Sequence, residues 1–175
     1  MLREIKTAAN ETKAMRFMVN VRTAKFDINN TITLKPAEIK GLNWDEKLTL
    51  EFLGTSIVQS IKVTPVSKIT TIYMAGDSTV MEHDLEPWAS WPQFFQNYLT
   101  TDVVIANYAY SGLTLRSFES TYRLEKILYL MEPGDYLFIE FGHNDEKATK
   151  NKKKNKRKDS DLLKDLIVKN RNKGG

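Results

Sequence analysis

Three short apolar runs, Ile69–Ala75, Val103–Ala109 and Asp135–Phe141, alternate with two stretches of helical period, and this alternation limits the possible folds more than any other feature. The first helical stretch puts Trp88, Trp91, Phe94, Phe95 and Tyr98 on one stripe, with Pro87 suited to its first turn. The second spaces Leu124, Ile127, Leu128 and Met131 at i, i+3, i+4 and i+7 and stops at Pro133-Gly134. Strand–helix–strand–helix–strand order predicts a parallel sheet with right-handed crossovers. Ile69–Ala75 lacks a clean polar alternation, which suits a strand covered on both faces. Each run ends in small and polar residues: Gly76-Asp77-Ser78-Thr79-Val80, Tyr110-Ser111-Gly112-Leu113-Thr114 and Gly142-His143-Asn144-Asp145. These clusters fall at the C-terminal mouth of the sheet, where open α/β sheets place their chemistry.

Residues 15–65 read differently. Phe17, Val19 and Val21 alternate with polar neighbours, as do Ile32 and Leu34, then Leu48, Leu50 and Phe52, then Ile57, Ile61 and Val63. Period two marks half-buried strands, and Asn29-Asn30, Gly41-Leu42-Asn43 and Gly54-Thr55 supply turns between them. The expectation is a partial antiparallel β-sandwich over 1–65, an α/β unit over 66–146 and a basic low-complexity tail over 147–175. Within that tail Leu162, Leu163, Leu166 and Ile167 fit a short amphipathic helix.

Charge follows the same division. Residues 1–146 hold 14 Lys and Arg against 19 Asp and Glu, whereas 147–175 hold 12 against 3. The basic character belongs to the tail, which carries no interleaved aromatics, so no nucleic-acid partner is expected. With no Cys and only His83 and His143, neither a disulfide framework nor a Cys- or His-rich metal site is available, and no cofactor is implied. No run is long enough to span a membrane, and the first twenty residues lack an apolar signal-peptide core.

Taken singly, the three clusters are ambiguous. A Ser past a buried strand is well placed as a nucleophile if a base takes its proton, yet Gly-Asp-Ser is also a good turn. The cluster is not the Gly-x-Ser-x-Gly elbow of the common α/β-hydrolases. Gly112 lets a backbone N–H face a ligand, and the Asn144 amide is a donor suited to an oxyanion. Taken alone, Ser78 and Gly112 read more readily as turn and loop residues, and Asn144 also reads as a loop-capping residue.

Taken together, the three motifs resemble those of the SGNH (GDSL-type) hydrolases. The flanks Glu86-Pro87-Trp88-Ala89-Ser90-Trp91, Ala106-Asn107-Tyr108-Ala109, Leu115-Arg116-Ser117-Phe118 and Gly134-Asp135-Tyr136-Leu137-Phe138-Ile139 are similar to the rhamnogalacturonan acetylesterase branch. The stretch from Asn43 to Phe52 is similar to a β-sandwich that precedes the esterase domain in some of these enzymes, so the resemblance covers about 15–147.

The resemblance implies a flavodoxin-like sheet of order 2-1-3-4-5, of which this sequence supplies strands 1, 2 and 3. It implies Ser78 as nucleophile, and the Ser78 and Gly112 N–H groups with the Asn144 side chain as oxyanion donors. The implied activity is deacetylation of an acetylated, pectin-like polysaccharide, in a family whose members are usually secreted or periplasmic. The family's late Asp-x-x-His is absent, since no His follows His143. The expectation is therefore an apparently truncated, impaired esterase, with a non-catalytic or carbohydrate-binding remnant as the alternative. His83 and His143 are the only other bases in view, and both read as rim residues.

Overall fold

The computed structural model describes residues 5–52, 54–55, 57–85 and 87–150. In it strand β1 (Thr70–Gly76) lies between β2 (Val103–Asn107) and β3 (Tyr136–Glu140), all parallel, in the order β2-β1-β3. Thr70 pairs with Val103 on one side of β1, and Ile72 with Tyr136 on the other. Because side chains alternate along a strand, β1 feeds two cores at once. Tyr73 and Ala75 pack with Ala106, Phe118, Ile127 and Leu128 on one face. Ile72 and Met74 pack with Val80 and Ala109 on the other, against Phe95 and Leu99. This two-sided cover explains why β1 shows no polar alternation.

The helix expected from Trp88 starts four residues later, as α2 (Pro92–Phe95), and tightens into a 3₁₀ turn at Gln96–Tyr98. Pro92 is the reason. It has no N–H to offer the Trp88 carbonyl, so it is tolerated at the first helical position and not in the second turn. Between β2 and β3 the chain forms α3 (Leu115–Ser120) and α4 (Arg123–Leu130). Thr114 caps α3, accepting from the Ser117 N–H while the Ser117 hydroxyl accepts from the Thr114 N–H. The last described element is α5 (His143–Lys150). The expected tail helix at 162–167 and the residue Glu86 lie outside the described residues.

The partial antiparallel sandwich expected over 1–65 is not formed among the described residues. The segment holds a short helix, α1 (Pro36–Lys40), and two isolated antiparallel bridges, Thr23 with Asp45 and Lys25 with Thr31. Phe17, Val19, Val21, Phe52, Ile61 and Val63 stay exposed. An extended backbone points alternate side chains to opposite sides whether or not a neighbour pairs with it. The period-two signal therefore reported extension and not a ladder. Ile32 and Leu34 do use it, but to pack on the α/β unit.

Besides that packing, two buried cations hold this segment down. Arg123 is fully buried, and its Nη2 donates to both Glu38 oxygens, Oε1 at 2.7 Å and Oε2 at 2.6 Å. Its Nη1 donates to the Tyr108 carbonyl at 3.0 Å. Its guanidinium carbon stands 5.6 Å from the Trp44 ring centre. Lys126, also buried, donates from Nζ to the Thr23 and Lys25 carbonyls.

Two stability measurements follow. Breaking one side of a buried ion pair costs about 3–5 kcal/mol, whereas replacing both sides with apolar groups costs far less. Urea unfolding of Glu38→Gln and of Arg123→Met should each show that loss, and Glu38→Leu/Arg123→Met should lose less than either. For Lys126, burial and then the nearby Arg22 lower its proton affinity, from 10.5 to about 8. Between pH 8 and 10 the unfolded chain holds this proton and the folded one does not, so stability rises with pH there. Above pH 10 the trend reverses, because Tyr73, pushed up to about 12 chiefly by burial, holds its proton only when folded. The rise from pH 8 to 10 should vanish in Lys126→Met.

Candidate active site

The mouth of the sheet is built outward from Gly76, the last residue of β1. A Cβ there would lie 2.6 Å from Val80 Cγ2 and 2.9 Å from the Glu140 carbonyl oxygen, so only glycine lets β1 turn this close to the end of β3. The chain then reverses. The Asp77 carbonyl accepts from the Val80 N–H at 3.2 Å and the Met81 N–H at 3.0 Å. Ser78, half-buried, sits at the crest of this turn.

Asp77 organises the mouth. It is 1% exposed. Its Oδ1 accepts from the Thr79 N–H and the Thr79 hydroxyl, both at 3.0 Å, and its Oδ2 accepts from Asn144 Nδ2 at 3.3 Å. Asn144 Nδ2 also donates to the Leu113 carbonyl at 3.1 Å. One amide thus ties the Ser78 turn, the Gly112 loop and the start of α5 together. The three motifs read from sequence meet at one end of the sheet.

The second loop is fixed by Asn107, also buried. Its Nδ2 donates to the Val80 carbonyl at 2.7 Å and its Oδ1 accepts from the Ala109 N–H at 3.0 Å. Gly112 adopts φ +75°, a left-handed conformation that side-chain-bearing residues rarely take. Lys35 Nζ donates to the neighbouring Ser111 carbonyl at 2.6 Å, so α1's flank also bears on this loop. Asp145 Oδ1 accepts from the Leu115 N–H at 3.0 Å, which joins α5 to the first residue of α3.

A third group of contacts reaches β3. Glu140 accepts from the Thr79 hydroxyl at 2.8 Å and from Trp91 Nε1 at 3.1 Å. Trp91 and Glu140, with Val80 and Phe138, line an open cavity of about 210 Å³ beside the Ser78 turn.

The two histidines take different places. His143 is the exposed first residue of α5. His83 turns inward, with Nε2 at 3.0 Å from the Ser78 backbone carbonyl. Around the second loop, burial pushes the Tyr108 and Tyr110 hydroxyls up, Glu38 adding to the effect at Tyr110. Both stay protonated at neutral pH. Among the described residues no group of three or more His, Asp or Glu is placed to hold a metal ion, and no helix is long and apolar enough to cross a membrane.

Sequence reasoning placed Ser78, Gly112 and Asn144 at this mouth and missed Asp77, Asn107, Glu140 and Asp145. Asp77 and Asp145 lie inside motifs already singled out, and Asn107 lies in a flank already quoted. Their partners, most of them distant in sequence, were the missing information.

No protein-family model matches the chain. The chain is 42% identical over 82 residues to the probable rhamnogalacturonan acetylesterase YesY of Bacillus subtilis, a match covering 46% of this chain and 37% of that protein. It is 39% identical over 85 residues to the rhamnogalacturonan acetylesterase RhgT of the same organism, covering 47% and 36%. It is 35% identical over 86 residues to the rhamnogalacturonan acetylesterase of Emericella nidulans, covering 49% and 33%. The chain therefore spans about a third of the length of these curated relatives. In structure it is similar to the crystal structure of YxiM from Bacillus subtilis, with TM-score 0.53 and 29% identity over 63% of this chain and 31% of that one. YxiM is described as an uncharacterized esterase.

One substitution tests the crowding at the sheet mouth. Gly76→Ala must displace Val80 and the Glu140 carbonyl, an overpacking cost of about 1–3 kcal/mol. Thermal unfolding should show it, while Gly41→Ala, at φ −83° with the added Cβ 3.4 Å from its nearest neighbour, should fall well short of that loss.

Proposed function

We propose, from homology to the rhamnogalacturonan acetylesterases over about half the chain, that this protein carries the nucleophile and oxyanion half of a serine carbohydrate esterase. The substrate class is an acetylated, pectin-like polysaccharide. Ser78 Oγ attacks the acetyl carbonyl. The oxyanion is held by the Ser78 and Gly112 N–H groups and by Asn144 Nδ2, and the sugar oxygen leaves with a proton as acetyl-Ser78 forms. Water then releases acetate. The observation that carries this reading is the Asn144 amide, which gathers all three motif loops at one end of the sheet.

The chain by itself should be a slow esterase. No Asp-x-x-His follows Asn144 to accept the Ser78 proton. Loss of the base in a serine triad costs on the order of 10⁶ in kcat, with residual rate from the oxyanion site and binding. A second reading, a non-catalytic carbohydrate-binding protein, is favoured by one observation: Asn144 Nδ2 already donates to two protein oxygens.

A fluorophosphonate probe separates the two. The esterase reading expects slow labelling that Ser78→Ala abolishes, with kcat on acetyl esters below ~1 s⁻¹, the low end for ordinary enzymes. Labelling that survives Ser78→Ala removes Ser78 from its role, and no labelling at all favours the binding protein.

A further inference from the structure

We propose that His83 is a positioning residue for Ser78 and that the buried side chain of Gln93 holds it in place. The proposal deepens the reading of Ser78 as nucleophile and rests on it.

The argument starts at the peptide that joins Ser78 to Thr79. Its N–H, on Thr79, donates to Asp77 Oδ1 at 3.0 Å. Its carbonyl, on Ser78, faces His83 Nε2 at 3.0 Å. A peptide unit is planar and rigid, so gripping both ends fixes its orientation. With the Asp77 carbonyl already anchoring the turn, the direction in which the Ser78 side chain leaves the backbone follows. A carbonyl oxygen can only accept, so the ring proton in this contact sits on Nε2. His83 thus presents a proton, not a lone pair, to the Ser78 residue. That makes it an orienting donor and not the base.

His83 lies in a loop without regular structure, and its backbone is held from α2. Gln93 Oε1 accepts from the His83 N–H at 3.2 Å and the Ser90 N–H at 2.9 Å, and Gln93 Nε2 donates to the His83 carbonyl at 3.0 Å. Gln93 is 7% exposed, where a polar side chain without such partners would be costly. The Ser90 hydroxyl closes the loop by donating to the Met81 carbonyl at 2.6 Å. A chain of contacts therefore runs from helix α2 through Gln93 and His83 to the carbonyl of Ser78. Neither residue touches a bound substrate in this scheme. Both act through Ser78.

The experiment uses the full chain and two readouts. Misplacement of a reacting group by about 1 Å costs on the order of 10²-fold. In fluorophosphonate labelling, His83→Phe should lower the inactivation rate constant by ~10–100-fold with little change in probe affinity. His83→Gln keeps an N–H donor and should stay within a few-fold of the parent. Equal loss in His83→Gln and His83→Phe overturns the proposal in favour of a base. Parental labelling in His83→Phe that still depends on Ser78 overturns it and leaves the esterase reading intact. The second readout needs no reactivity. Nitrogen-15 spectra should show the Nε2–H tautomer at His83. Hydrogen exchange of the Thr79 amide should accelerate in His83→Phe and in Gln93→Leu but not in His83→Gln. An Nδ1–H tautomer, or Thr79 exchange unchanged by either loss, overturns the proposal even if the chain does not label.

Discussion

A guanidinium without access to water must be paired, and much of the arrangement around the mouth depends on how Arg123 is paired. Its partners come from three parts of the chain: Glu38 in α1, the Tyr108 carbonyl just past β2, and the aromatic ring of Trp44. The desolvation of two charges is large, and the bonds from Nη1 and Nη2 must offset it, since Nε is buried with no partner among the described residues. That requirement fixes α1 against the α/β unit and fixes the chain where β2 gives way to the loop of Tyr110, Gly112 and Leu113. Asn144 then binds the Leu113 carbonyl at the far end of the same loop. A contact deep in the N-terminal segment thereby shapes the end of the sheet where the three motif loops meet.

The parallel sheet and its mouth were legible because their signals are local. Three apolar runs broken by helical period specify three parallel strands; their order, with the second and third on either side of the first, was implied by the family resemblance and not by those runs. The start of α2 was legible in principle, since Pro92 carries its own stop signal, but the aromatic stripe from Trp88 outweighed it. The N-terminal segment was misread for a deeper reason. Period-two alternation records an extended backbone, and pairing depends on partners that the pattern does not encode. Lys25 finds Thr31 and the Ile32 N–H finds the Ala24 carbonyl, whereas Phe17 and Val63 remain exposed.

At the mouth the same distinction holds. Small polar residues after a strand read as turn formers, and turn formers are what most of them are. What separates Asp77 or Asn107 from an ordinary loop residue is burial and a partner distant in sequence: Asn144 for the one, Val80 for the other. Gln93 shows the limit most clearly. In the sequence it is a polar residue within an aromatic stripe, with no motif around it. In the fold it braces two backbone segments beside Ser78.

The tie made by Asn144 also bears on motion. Three loops joined through one amide, with Asp145 linking α5 to α3, do not breathe independently. Regions open in units set by the contacts they share. The rim of this sheet should fluctuate as a single collective mode, with Leu113, Asp77 and the head of α5 moving in phase. Turning the Asn144 amide away would free Leu113 and Asp77 in the same event, so the two loops they anchor would loosen together.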